Sequence, residues 1–322
     1  MGKVTALLAA LAVLAVGSAV GAQQRPASRA RHVLIISIDG ARPDGLRVAG
    51  IGSILQEASA SMTAQTTVPP TTASAHMSMV SGVGPEKHGV RDNTWRPGRP
   101  HPPVPTVFSV SKQAGLRTAL FTQKPYVPVI ADPRYMDRVE LVPWRSATLT
   151  SDLIAAASAY IRSAKPHVVL AHISEPDAAG HADGWMSFAY LQALRRAVSG
   201  IGLLRQALRE ADIEEQTLVI ITADHGGIDR DHVTTVPEVM TIPWIAQGSG
   251  VKQSLEIQRA IVIYDTAATV LYALGLDVPQ GWDGKPLTEA FVTATPLPLR
   301  GAVARTPLAP PNRPQATPAL TP

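Results

Sequence analysis

Not one cysteine occurs among the 322 residues. That absence removes disulfides, thiolate metal sites and a lipoprotein anchor together, so any bound metal must be held by oxygen and nitrogen donors. Stability must come from the core alone. No segment beyond the N-terminal one approaches the length of a membrane span, and no self-similarity is evident at the usual solenoid periods. Acidic residues are missing from both ends: Lys3, Arg25 and Arg29 precede the central region and Arg300, Arg305 and Arg313 follow it, with no Asp or Glu beside them. Removing those six basic residues from the formal net charge of +4 leaves −2 for residues 31 to 294. The basic character therefore belongs to the ends, and nucleic-acid binding by the fold gains no support.

What is present divides into four stretches. Met1-Gly2-Lys3, the apolar run Thr5 to Val16 and the small-residue site Val20-Gly21-Ala22 have the three zones of a secretory signal peptide, with cleavage expected after Ala22. The apolar run is short for a membrane anchor and is broken by Gly17 and Ser18. Residues 1–22 are read as the signal peptide, 23–30 as a linker, 31–294 as one catalytic domain and 295–322 as a disordered proline-rich tail. The expectation is an exported protein, periplasmic or secreted, without a membrane span after cleavage. With 45% hydrophobic residues, the chain has enough apolar material for one large domain.

Within residues 31–294, strand-like and helix-like segments alternate, which predicts an α/β fold: a three-layer α/β/α sandwich around a mostly parallel sheet. Strands are expected at Val33–Ile38, Arg117–Thr122, Val168–Ile173 and Leu218–Thr222. Helices are expected from Ser74 to Ser81 with Gly82 as the stop, over Thr106–Ala114, from a Ser151 cap to Ser163, from Met186 to Glu210 and over Tyr264–Leu274. Right-handed crossovers place the loops after these strands on one edge of the sheet, where ligands of open α/β sheets collect.

That edge carries the residues with metal chemistry. Asp39 follows the first strand, and Asp177 and His181 are spaced to share one helix face. Asp224 and His225 lie between a buried strand and the Gly226-Gly227 turn, and His232 is the last histidine of the chain. Two ions each needing about three protein ligands would divide these six into Asp177, His181 and His232 for one, and Asp39, Asp224 and His225 for the other. Thr72, at the start of an apolar helix, is a hydroxyl that a dication could activate as a nucleophile, with Thr72 also touching the second ion.

These segments resemble the alkaline phosphatase superfamily, and more closely its type I phosphodiesterase/nucleotide pyrophosphatase branch. The DG after strand one, TASAHMSMVSGVGPEKHGV, EPDAAGH and DHG match that family's motifs across most of residues 31 to 290. Registering the second segment on Gly82 and His88-Gly89 puts the nucleophile at Thr72 rather than Thr71. The resemblance implies an alkaline-phosphatase-like fold, a phospho-threonine intermediate, and Asn93 as a ligand of a non-bridging phosphoryl oxygen. Two features depart from it. The family's last metal histidine usually lies far downstream, whereas here the candidate is His232, in a segment similar to one in cofactor-independent phosphoglycerate mutases. The helix's first turn reads TASAH where T-x-P-[NS]-H is usual.

The reading is hydrolysis of a small-molecule phosphate ester, a phosphodiester or nucleotide pyrophosphate, with two divalent ions, zinc expected and manganese or iron compatible with the same donors. Phosphomonoester hydrolysis is the alternative. An arylsulfatase ranks below both, because threonine cannot become the formylglycine that those enzymes use. His76 and His88 are read as serving the fold and GWDGKPL as structural. Lys124 could reach an anionic substrate from the same rim, although a loop lysine is ordinarily solvated. Trp95, Tyr126 and Trp185 either line a leaving-group pocket or cover the core. Substrate recognition is assigned to the loops between Trp95 and Val104 and between Lys124 and Leu149.

Overall fold

The computed structural model describes residues 29–143 and 149–292. The expected signal peptide, the expected proline-rich tail from residue 295 and most of the expected linker lie outside the described residues. Arg29 and Ala30 are described, and both amides donate to the Ala273 carbonyl, so the folded body extends at least to residue 29.

Eight strands form one sheet: β1 His32–Ile38, β2 Ser59–Gln65, β3 Thr118–Thr122, β4 Arg138–Leu141, β5 Val168–Ile173, β6 Thr217–Thr222, β7 Thr241–Gly248 and β8 Leu255–Glu256, in the order β4-β3-β5-β1-β6-β7-β2-β8. The four predicted strands are β3, β5, β1 and β6, which are neighbours and all parallel. Their side chains are buried almost throughout, as continuous apolar runs covered on both faces should be. Only β7 runs against its neighbours, antiparallel to β6 and β2. The expected sandwich around a mostly parallel sheet is therefore the architecture observed.

Helices Leu149–Ala164 and Phe188–Glu210 pack together, as do Thr72–Ser81, Val107–Gln113 and Asp265–Ala273. Tyr190, Ala193, Leu194, Ala197, Ile201 and Leu204 recur at helical spacing along the buried stripe of the longest helix. Its N-cap is Ser187, one residue past the expected start at Met186, and Ser187 accepts a hydrogen bond from the Tyr190 amide. Thr106 caps its helix through a capping box with Ser109. The cap expected at Ser151 is corrected: the helix starts at Leu149, and Ser151 lies inside it. Among the described residues, no helix is long and apolar enough to cross a membrane.

Candidate metal and phosphoryl site

The parallel run β3-β5-β1-β6 delivers four loops to one rim. Asp39 is the first residue past β1, its amide still bonded to the Ile173 carbonyl of β5 at 2.9 Å. Gly40 follows with φ +69°, a left-handed conformation that favours glycine. Its amide donates to Asp224 Oδ1 at 3.1 Å, and its carbonyl accepts from Trp185 Nε1 and the Tyr190 hydroxyl, both at 2.9 Å. The DG pair thus anchors the carboxylates of two strands and a wall of aromatic rings.

Asp177 and His181 stand one turn apart on helix Glu175–Asp183, immediately beyond β5. His232 comes from the loop after β6, and its Nε2 lies 3.7 Å from Asp177 Oδ1. Asp177, His181 and His232 present ligand atoms within 4.8 Å of one another, and so do Asp39, Asp224 and His225. The structure therefore assembles the same two triads that the sequence suggested. Each histidine is oriented alike: Nδ1–H donates to a backbone carbonyl, that of Arg230 for His181, Gly226 for His225 and Pro70 for His232. Nε2 is left to face the acids, the arrangement second-shell bonds impose on metal-binding imidazoles.

A third group, His76, His172 and Asp224, is equally compact but differs in kind. The nitrogens of His76 engage Ser37 Oγ and the Thr72 carbonyl, and those of His172 engage Thr122 Oγ1 and Asp39 Oδ2. With its nitrogens committed, the pair is a buried scaffold behind the acids. His172 is a functional neighbour that the sequence reading missed; its signal was an imidazole in the otherwise apolar strand VVLAHI.

Lys124 is the larger correction. It is buried rather than solvated, with Nζ 2.6 Å from Asp39 Oδ2 and 2.6 Å from Asp177 Oδ2, one acid of each triad. Against the cost of burial, this ammonium and the His172 hydrogen bond hold Asp39 well below the usual carboxylate range. Burial and the neighbouring Asp39 push Asp224 well above it. His181 is raised to about 9, chiefly by the Asp177 carboxylate 3.4 Å from its Nε2, whereas burial and the adjacent His232 lower His225 to about 4. Three acids packed so closely cannot all ionise without added positive charge.

Thr72 is the first residue of the fully buried helix Thr72–Ser81. His76, one turn on, accepts no freedom of its own: its ring binds the Thr72 carbonyl at 2.7 Å while lying 3.6 Å from Asp224 Oδ2. Half-buried Asn93 accepts from the Ala73 amide through Oδ1 at 2.9 Å, which leaves its NH2 group as a donor beside the helix start. The helix ends at Gly82, φ +68°, under the Trp282 ring, and Asp283 pairs with Lys87, so GWDGKPL clamps this helix from behind. His88 bonds Ser78 Oγ and the Val90 amide, a role internal to the same segment.

The Gly226-Gly227 turn is tight for a reason the sequence did not show. A Cβ on Gly226 would overlap the Glu238 carbonyl, and one on Gly227 the Trp185 indole, so the glycines serve protein packing rather than an approach to a ligand. Trp185 is thereby a structural wall. Trp95, with Arg91, Arg99 and His101, lines a cavity of about 530 Å³ that flanks Asn93, and a second cavity of about 450 Å³ is lined by Val104, Val129 and Tyr135. Both are lined in part by the loops assigned to recognition.

Known proteins match in sequence and in fold. The family model for type I phosphodiesterase / nucleotide pyrophosphatase matches residues 33–245. Human ectonucleotide pyrophosphatase/phosphodiesterase family member 1 is 24% identical over 222 residues, covering 60% of this chain and 23% of that protein. The chain thus spans about a quarter of the length of that relative. Murine ectonucleotide pyrophosphatase/phosphodiesterase 5 superposes with a TM-score of 0.64 at 14% identity, covering 78% of this chain and 97% of that one. A 2-O GAG sulfatase superposes with a TM-score of 0.68 at 17% identity, covering 83% of this chain and 74% of that one. The structural likenesses speak to the fold alone, but the family match extends over more than half of the chain and over every strand-end motif described above except the C-terminal clamp. The chain belongs to the type I phosphodiesterase/nucleotide pyrophosphatase family of the alkaline phosphatase superfamily.

Proposed function

We propose that the protein hydrolyses phosphate esters, of the phosphodiester or nucleotide pyrophosphate type, outside the cytoplasm, with Thr72 as nucleophile and two divalent ions, zinc foremost. One observation carries the reading. Asp39 Oδ1, Asp177 Oδ1, Asp224 Oδ2, His225 Nε2 and Thr72 Oγ1 are all buried and have no hydrogen-bond partner in the protein. Each such atom costs about 1–3 kcal/mol, so five in one cluster mark a place built for a ligand. The donors are hard oxygens and imidazole nitrogens, a set that suits zinc, manganese or iron.

Asp177, His181 and His232 would hold one ion, and Asp39, Asp224 and His225 with Thr72 the other. Dications bound there supply the charge that lowers the pKa of an alcohol and offsets that of a phosphoryl group. Thr72 Oγ1 attacks phosphorus opposite the leaving oxygen; its bond to phosphorus forms as the ester P–O bond breaks. Water then attacks the phospho-threonine, the Thr72 O–P bond breaks, and the hydroxyl is restored. The Asn93 NH2 group and the free amides of the first helical turn donate to non-bridging oxygens. His172 and His76 hold Asp39 and the Thr72 backbone in register.

The test pairs elemental analysis of protein purified without added metal with the Thr72→Ala variant. Two metal equivalents in both proteins and turnover only in the parent are expected. Turnover retained by Thr72→Ala, or a parent with no affinity for divalent ions, overturns the reading.

A further inference from the structure

We infer that the cavity beside Asn93 takes the ester group that stays on phosphorus, and that Arg91 and Arg99 make it select a ring bearing a second oxyanion, a carboxylate or a phosphoryl group. The inference rests on the Thr72-centred reading above and names the substrate class of that same site.

The loop that lines the cavity is fastened to the start of the nucleophile helix. Asn93 Oδ1 accepts from the Ala73 amide at 2.9 Å, and the Arg91 carbonyl accepts from the Thr71 hydroxyl at 3.3 Å, one bond on either side of Thr72. Arg91, Thr94 and Trp95 of this loop then line the cavity of about 530 Å³. In an in-line displacement the leaving oxygen lies across phosphorus from Thr72 Oγ1, while the non-bridging oxygens and the retained ester group occupy the plane between them. With Asn93 donating to a non-bridging oxygen, the cavity next to it borders that plane. It therefore receives the retained group and not the leaving one.

The walls of the cavity set the class of that group. The Trp95 and His101 rings have centroids 5.1 Å apart and planes 48° from parallel, an aromatic corner against which another ring can pack. Trp95 Nε1 donates to the Pro100 carbonyl at 3.3 Å and His101 Nδ1 to the Val129 carbonyl at 3.0 Å, which fixes both rings. Arg91 and Arg99 also line the cavity, and neither forms an ion pair among the described residues. One acid, Asp92, lines it too, but its Oδ1 is turned to Thr94, accepting from the amide at 2.9 Å and from the hydroxyl at 2.5 Å. Arg96 is committed to the loop itself, donating to the Asn93 carbonyl at 3.0 Å and the Trp95 carbonyl at 2.7 Å. Two guanidinium forks are thus left over, and that geometry matches an oxyanion. An uncharged ring would engage the aromatic corner and leave both forks idle. The second cavity, of about 450 Å³, shares His101, Pro102 and Val129 with the first, so the retained group has room beyond a single ring.

The experiment uses four p-nitrophenyl phosphodiesters, in which nitrophenolate is always the better leaving group and the retained group is methyl, phenyl, 3-carboxyphenyl or 3-phosphonophenyl. The proteins are the metal-loaded parent, the double variant Arg91→Gln with Arg99→Gln, and Trp95→Leu. Two solvent-exposed ion pairs predict a kcat/KM for an acidic aryl ester ~5- to 25-fold above that for the phenyl ester in the parent. The preference should fall below about threefold in the double arginine variant and in the parent at ~1 M salt. Which acidic ester gains more tells a carboxylate source from a phosphoryl one. Trp95→Leu should lose the advantage of phenyl over methyl. Calorimetry with phenyl phosphate and 3-carboxyphenyl phosphate in the Thr72→Ala background should show the same order of affinities without turnover. Equal rates for the phenyl and both acidic esters in the parent, or a preference that survives loss of both arginines, would overturn the subsite; an unchanged phenyl advantage in Trp95→Leu would overturn its ring-binding part. Turnover surviving in Thr72→Ala would instead strike the underlying reading, while the order of affinities still reports on the arginines.

Discussion

His225 and His232 stack face to face, with ring centroids 3.7 Å apart and planes 13° from parallel. One ring belongs to each triad, and each is pinned by a different backbone carbonyl, that of Gly226 and that of Pro70. The two candidate ion sites thus share a wall, although their remaining donors come from separate loops.

This shared wall predicts an asymmetric loss. His232→Ala should give up one of two metal equivalents while keeping the other, because Asp39, Asp224 and His225 stay intact. Turnover should drop by about 100-fold or more, an effect at least as large as that typical of second-shell changes. Elemental analysis beside kinetics checks this; full metal content in His232→Ala would remove the residue from the site.

A second prediction concerns a residue that touches no candidate ion. His172 Nε2 bonds Asp39 Oδ2 at 2.9 Å, and its other nitrogen bonds Thr122 Oγ1 at 2.8 Å. His172→Ala should weaken metal affinity by ~10- to 100-fold while leaving the ligand set complete. Competition with a chelator of known affinity reads this directly, and an unchanged affinity would reduce His172 to packing.

The third prediction is a pH dependence of stability. Burial, with Arg91 nearby, lowers His88 to about 4 from the ordinary 6.5. Its Nδ1 accepts from the Val90 amide, so a proton there would break that bond. Between pH 4 and 6.5 the unfolded chain binds more protons at this residue than the folded one, and stability therefore rises with pH across the window and is lost on acidification. His76, held well below its ordinary value by burial, acts in the same direction. Urea midpoints measured from pH 4.5 to 7.5 should fall less steeply on the acid side for His88→Gln than for the parent, to about the extent that one histidine contributes; identical profiles would refute the assignment.

Much of the site was legible because its chemistry sits at the ends of apolar runs. Asp39, Asp177 and Asp224 each follow a strand that is buried on both faces, and parallel strands send their ends to one rim. The strands that went unread have no such signal: β2 is SASMTAQ, mostly small and polar, β4 is an exposed edge, and β7 carries Pro243 within an otherwise apolar run. Lys124 and His172 were misjudged or missed because their partners are distant in sequence. A lysine in FTQKPY reads as solvated until the fold brings Asp39 and Asp177 to it.

The central claim is that Thr72 becomes covalently phosphorylated during turnover. Acid quenching of the metal-loaded enzyme during hydrolysis of an aryl phosphate ester, followed by peptide mass spectrometry, tests it most directly. The account predicts a phosphoryl group on the peptide that contains Thr72, absent when the substrate is omitted and absent from Thr72→Ala. A phosphoryl group trapped on another residue, or sustained turnover by Thr72→Ala, would contradict it.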